Sequence, residues 1–115
     1  MDYLEYKIKN SHKYNLISLK GVLNIQTINR FFKEIDTNVK YKKILILDLL
    51  ELQYIDSSGI GILMDIVKEL QKNKLHLYIV NANDKVYKVI KFVGFSKYIK
   101  IIDKEALKLI QKQDK

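Results

Sequence analysis

Two nearly unbroken apolar runs, ILILDL at 44–49 and LHLYIV at 75–80, constrain the fold of this 115-residue chain more than any other feature. A strand with one wet face alternates apolar and polar residues, whereas an unbroken run belongs to a strand covered on both faces, as in the middle of a parallel sheet. Parallel neighbours need a crossover of a dozen or more residues, usually a helix. Between the runs, residues 58–71 carry Ile60, Ile62, Leu63, Met64, Ile66, Val67 and Leu70 at helical spacing. The two runs therefore predict an α/β domain with right-handed crossovers.

The flanking sequence completes that pattern. YLEYKIK (3–9) and NLISLKG (15–21) alternate as strands do, and the polar NSHKY between them reads as a hairpin loop. Ile28, Phe31, Phe32, Ile35 and Val39 mark a helix over Thr27–Val39, with Thr27 or Asn24 as its cap. Asp84 opens a helix carrying Val86, Val89, Ile90 and Val93 that stops at Gly94. YIKII (98–102) is a short last strand, and Asp103 caps a final helix that turns Ala106, Leu107 and Ile110 inward. The expectation is an N-terminal β-hairpin followed by alternating helices and mostly parallel strands, in a mixed sheet of about five strands with about four helices. With no proline and no tract that reads as a linker or repeat, residues 1–115 are expected to form a single domain.

Composition narrows the chemistry. There is no cysteine, and His12 and His76 are the only histidines, so neither a disulfide framework nor an ordinary zinc set is expected, and no cofactor is implied. No secretory signal or apolar run of about 18 residues is present, which predicts a cytoplasmic protein without membrane insertion. The formal charge of +8 is uneven: residues 81–115 hold nine lysines against four acids, while 44–71 hold one lysine against five acids. Arg30 is the only arginine, and no aromatic residues interleave with the basic ones, so direct nucleic-acid binding is not expected and the lysines read as a solvated face.

The acidic part contains YIDSSGIG at 54–61, where the first buried strand gives way to a helix. In open α/β sheets, ligands and partners meet the protein beyond the carboxyl ends of the strands. Asp56 or Ser57 is a natural N-cap, which explains one of three polar residues. Gly59 and Gly61 each cost about 1 kcal/mol of helix propensity relative to alanine, and both leave the serines open to close approach by another protein. The helix carries more apolar surface than one face needs, with the excess toward Ile60 and Met64; it is either deeply buried or offered to a partner. A nucleotide loop fits poorly, because Met64 stands where G-x-G-x-x-G requires its third glycine. A serine nucleophile fits poorly too, since the stretch is not G-x-S-x-G, one histidine lies in a hairpin loop and the other within a buried strand. A phosphoacceptor serine at a helix N-terminus fits the placement, because free amides and the helix dipole accommodate an added anion.

The order of these elements, with DSSGIG opening a helix, a strand ending in Asn81, Gly94-Phe95 after the next helix and a capping Asp103, resembles the STAS domain, in particular the bacterial anti-sigma factor antagonists. LDLLELQYIDSSGIGIL at 47–63 resembles the signature of that family around its phosphorylated serine. In the family's D-S-[ST]-G pattern the serine beside the aspartate is the acceptor, which implies phosphorylation at Ser57, with Asp56, Ser58 and Gly59 supporting the site. The resemblance implies a non-enzymatic partner switch. The unphosphorylated protein binds an anti-sigma factor that is also a serine kinase of the histidine-kinase-like ATPase class, freeing a sigma factor; phosphorylation ends the binding and a serine phosphatase restores it. The partner surface would comprise Asp56, Ser57, Ile60, Gly61, Met64 and Asp65. Two departures are Asn24, where members often carry an acid, and Asp48-Leu49-Leu50 in place of D-L-S. An alternative from the same family is an adaptor subunit of a membrane lipid transporter or a scaffold subunit of a sensory complex, for which the Lys85, Lys88 and Lys91 stripe would face an anionic membrane or acidic partner. The exposed edge of the hairpin is a further place where another strand could pair.

Overall fold

The computed structural model describes residues 2–92 and 97–113. Chain order is β1 (Leu4–Asn10), β2 (Tyr14–Leu23), α1 (Ile28–Asn38), β3 (Ile44–Ile55), α2 (Ser57–Lys72), β4 (Leu77–Val80), α3 (Asp84–Phe92), β5 (Ile99–Ile102) and α4 (Lys104–Gln113). The strands form one sheet in sequential order, with β1 antiparallel to β2 and every later neighbour parallel. This is the expected mixed α/β architecture, opened by a hairpin. The expected helix stop at Gly94, with Val93 and Phe95 on either side, lies outside the described residues.

The central position of β3 explains its unbroken apolar character. On one face Leu45 and Leu47 join the main core with Phe31 and Ile35 of α1, Leu63, Ile66 and Leu70 of α2, and Val86 and Ile90 of α3. On the other face Ile46 packs with Tyr14 and Val80 beneath Leu107 and Ile110 of α4. A strand covered by helices on both sides has no wet face on which to alternate.

β3 runs six residues beyond the end that its apolar run suggests. Its pairing with β4 covers only Leu45–Asp48, while β2 stays beside it through Leu23↔Ile55. The extension therefore has a wet side, and Leu50, Glu51, Gln53 and Tyr54 are exposed while Leu49, Leu52 and Ile55 stay buried. Irregularities in register between Ser18 and Lys20 and between Gly21 and Val22 accompany the change. Gly21 has φ +116°, and a side chain there would run into the Tyr3 carbonyl, so this position requires glycine.

β4, in contrast, is shorter than LHLYIV. Leu75 and His76 precede it because the end of α2 consumes Leu75: Lys74 adopts φ +58°, its N–H donates to the Gln71 carbonyl, and the Leu75 N–H donates to the Leu70 carbonyl. That is a Schellman ending with lysine where glycine is usual. At α1 neither expected cap acts in the ordinary way. Asn24 Oδ1 accepts from the Gln26 N–H, and the Thr27 hydroxyl accepts from the Asn24 N–H while donating to the Val22 carbonyl. Both residues build the turn that precedes the helix, and the first helical amides receive no side-chain cap.

Candidate functional site

The site is assembled where β2 and β3 end together. Leu23 and Ile55 are register partners, and the Asp56 N–H donates to the Leu23 carbonyl at 3.2 Å. Asp56 has extended backbone and is the N-cap of α2: its Oδ1 accepts from the Gly59 N–H at 3.0 Å, and its carbonyl accepts from the Ile60 N–H at 2.9 Å. The aspartate therefore does the capping that sequence reasoning left open between two residues. Ser57 becomes the first helical residue and is exposed; Ser58 follows, half-buried. A capping serine would direct its oxygen at its own backbone, but capping is not required of Ser57.

The two glycines have different causes. A Cβ on Gly59 would lie 2.6 Å from the Leu23 carbonyl oxygen and 2.7 Å from Ile55 Cγ1, so this glycine lets α2 sit directly on the strand ends. Its role is packing, which corrects the expectation that both glycines open the surface. Gly61 meets nothing within 4 Å at its Cβ position and leaves an open approach beside the serine.

At 100° per residue, Ser57, Gly61, Met64, Asp65 and Lys68 fall on one stripe of α2. Met64 is 42% exposed, and Asp65 and Lys68 are exposed as well. Ile60 departs from expectation: it is 6% exposed and belongs to the core, because it turns toward the side shared by Leu63 and Val67. The apolar excess of the helix is thus mostly buried, and its exposed remainder is Met64. Exposed apolar side chains stand on the neighbouring segments also, with Ile25 in the turn before α1 and Leu50 and Tyr54 on the β3 extension.

A second layer of polar contacts holds the β3 extension. Asp48 Oδ1 accepts from the Leu50 N–H and from Asn81 Nδ2, each at 3.1 Å, with Asn81 in the left-handed region at φ +65°. Asn83 Oδ1 accepts from the Val86 N–H to cap α3, and its Nδ2 donates to the Leu52 carbonyl. Sequence reasoning assigned the start of α3 to Asp84 and missed Asn83, although asparagine is among the strongest N-cap residues. α4 begins as expected, with Asp103 Oδ1 accepting from the Ala106 N–H.

His12 precedes β2 and His76 precedes β4, whereas Ser57 follows β3, which runs parallel to both strands. Both histidines thus flank the opposite end of the sheet from Ser57, and neither is placed to serve it as a base. His76 is half-buried ahead of its strand and not within it. Lys85, Lys88 and Lys91 are exposed along α3, with Lys91 Nζ 5.4 Å from the centre of the Tyr87 ring. Among the described residues no group of three or more His, Cys, Asp or Glu side chains could hold a metal ion, and no helix is long and apolar enough to cross a membrane.

Comparison with known proteins gives consistent likenesses. The family model for the STAS domain matches residues 3–107. The anti-sigma-B factor antagonist of Listeria monocytogenes is 30% identical over 63 residues, 55% of this chain; the match spans about half the length of that relative as well, 55%. A candidate anti-sigma factor antagonist from Thermotoga maritima superposes with TM-score 0.73 at 26% identity, covering 94% of each chain. The Bacillus cell-fate determinant SpoIIAA, in its phosphorylated form, superposes with TM-score 0.68 at 20% identity over 92% of this chain and 99% of its own, a likeness of fold.

Proposed function

The chain belongs to the STAS domain family, and from that premise we propose that it is an anti-sigma factor antagonist whose docking surface is switched by phosphorylation of Ser57. Unphosphorylated, it binds an anti-sigma factor that is also a serine kinase of the histidine-kinase-like ATPase class, and a sigma factor is freed. The kinase transfers the γ-phosphoryl group of ATP to the Ser57 oxygen, with loss of the hydroxyl proton and release of ADP; a serine phosphatase hydrolyses the ester. The chain is a substrate and regulator in this cycle and catalyses nothing. Residues 1–115 act as one domain, a reading supported by the single sheet that all five strands share.

The observation that carries this reading is the division of labour at the start of α2. Asp56 caps the helix, so the exposed Ser57 hydroxyl is spare, beside the open approach at Gly61. A phosphate there would gain from the helix dipole and its free amides, so the fold should persist. It would also place about −1.5 to −2 charges next to the Asp56 carboxylate, opposing any partner face that accepts this surface. A penalty of about 4 kcal/mol weakens binding about a thousandfold. The partner surface comprises Asp56, Ser57, Gly61, Met64 and Asp65, without Ile60.

The test is a quantitative pull-down from lysate of the native cell with wild-type and Ser57→Asp baits. Retention of a kinase-like ATPase by wild type alone supports the switch. Equal retention of one transporter or scaffold by both baits rejects it in favour of the adaptor function.

A further inference from the structure

We propose that the free edge of β1 is a self-association site, through which two copies of this chain pair their β1 strands antiparallel about Tyr6 and join their sheets. Among the described residues β1 is hydrogen-bonded on one side only, to β2. The Tyr3 carbonyl accepts from the Val22 N–H, and the Ser11 N–H donates to the Tyr14 carbonyl. Odd-numbered residues of the strand therefore turn their backbone groups to β2, and by the alternation of antiparallel pairing Leu4, Tyr6, Ile8 and Asn10 turn theirs outward. An outward row of this length is a template for another strand.

Charge selects the occupant and the register. Lysines on an edge usually discourage pairing, and Lys7 and Lys9 would do so here but for Glu5. Only pairing centred on Tyr6 sets outward residues against outward residues, Tyr6 with Tyr6 and Leu4 with Ile8, and at the same time sets Glu5 of each copy against Lys7 of the other. Centring on Glu5 or Lys7 opposes like charges across the axis, and centring on Ile8 sets Lys7 against Lys9. Cross-strand opposite charges stabilise a ladder and like charges destabilise it. Ile8 and Tyr6 are half-buried against the core of their own copy, so pairing would also cover their remaining apolar surface. The surface is separate from the Ser57 site, and the inference stands whether or not that site is a phosphoswitch.

The test is sedimentation equilibrium on the full chain over a range of concentration up to about 1 mM, with folding monitored by circular dichroism. Wild type is expected to rise from 13.6 kDa toward twice that mass. Glu5→Lys and Lys7→Glu each create like-charge pairs and are expected to stay at the monomer mass. An equimolar mixture of the two variants restores Glu–Lys pairs in both positions and is expected to associate as wild type does. A wild type that remains monomeric throughout, single variants that associate as strongly as wild type, or a mixture that does not recover overturns the proposal.

Discussion

Alanine at Gly59 and at Gly61 should move stability in opposite directions, although the two positions are two residues apart in one helix. Both substitutions remove the same propensity penalty, about 1 kcal/mol. At Gly61 the new methyl group enters open space, so the full gain should appear and the protein should become more stable by up to about 1 kcal/mol. At Gly59 the methyl group would lie 2.6 Å from the Leu23 carbonyl oxygen, 2.7 Å from Ile55 Cγ1 and 3.0 Å from Leu23 Cγ. The first of these is backbone and already accepts the Asp56 N–H, so it cannot give way without disturbing the cap. Forced overpacking of this kind costs about 1–3 kcal/mol or more. Net of propensity, Gly59→Ala should be destabilised by up to about 2 kcal/mol, leaving a gap between the variants of about 1–3 kcal/mol. Urea denaturation of both variants and wild type, with slopes compared to verify two-state behaviour, measures it directly. Equal stability of the two variants would refute the assignment of Gly59 to packing. Gly61→Ala should in addition weaken partner binding despite its gain in stability, since it fills the approach beside Ser57.

Other outcomes follow from single residues. Asp56→Ala should cost about 1 kcal/mol through loss of the cap on α2, read as a lowered urea midpoint. The Tyr41 hydroxyl is buried without a hydrogen-bond partner among the described residues, so Tyr41→Phe should stabilise the protein by about 1 kcal/mol at neutral pH, and destabilisation would contradict this. Burial first, then the charges of Asp36, Glu69 and Asp65, push the Tyr41 phenol up to about 12 from an ordinary 10.0. The folded state then holds that proton more tightly than the unfolded chain, so stability is intact below pH 10 and falls between pH 10 and 12. The loss is on the order of 2–3 kcal/mol, and it should be absent from the pH–stability curve of Tyr41→Phe. Partner affinity should fall as salt is raised, because the acidic segment 44–71 calls for a basic rim on the partner; an affinity indifferent to salt would contradict that.

What could be read from the sequence, and what could not, divides along physical lines. The apolar run of β3 and the helical spacing of α2 are set by burial on a fixed period, and both appeared where that periodicity placed them. The β3 extension was missed because its wet side breaks the run with Glu51 and Gln53 while β2 continues beside it, a pairing that residue pattern alone does not encode. Leu75 reads as strand but completes the ending of α2, since a lysine at φ +58° closes the helix without the glycine that usually announces such an ending. At the candidate site, the spacing of Asp56, Ser57 and the glycines marked the place. Which residue caps and which glycine packs depended on the end of β2, more than thirty residues earlier in the chain, and emerged only with the fold. Ile60 was misjudged for a related reason: a helix whose apolar residues exceed half its circumference does not reveal which border residue the core will take.

The most direct test of the phosphoswitch is calorimetric titration of the ATPase partner with two forms of this chain, one unmodified and one carrying phosphoserine at position 57 alone. Binding about a thousandfold weaker for the phosphorylated form, with an unchanged backbone spectrum, is the predicted result. Equal affinity of the two forms would contradict it and leave Ser57 without a role in docking.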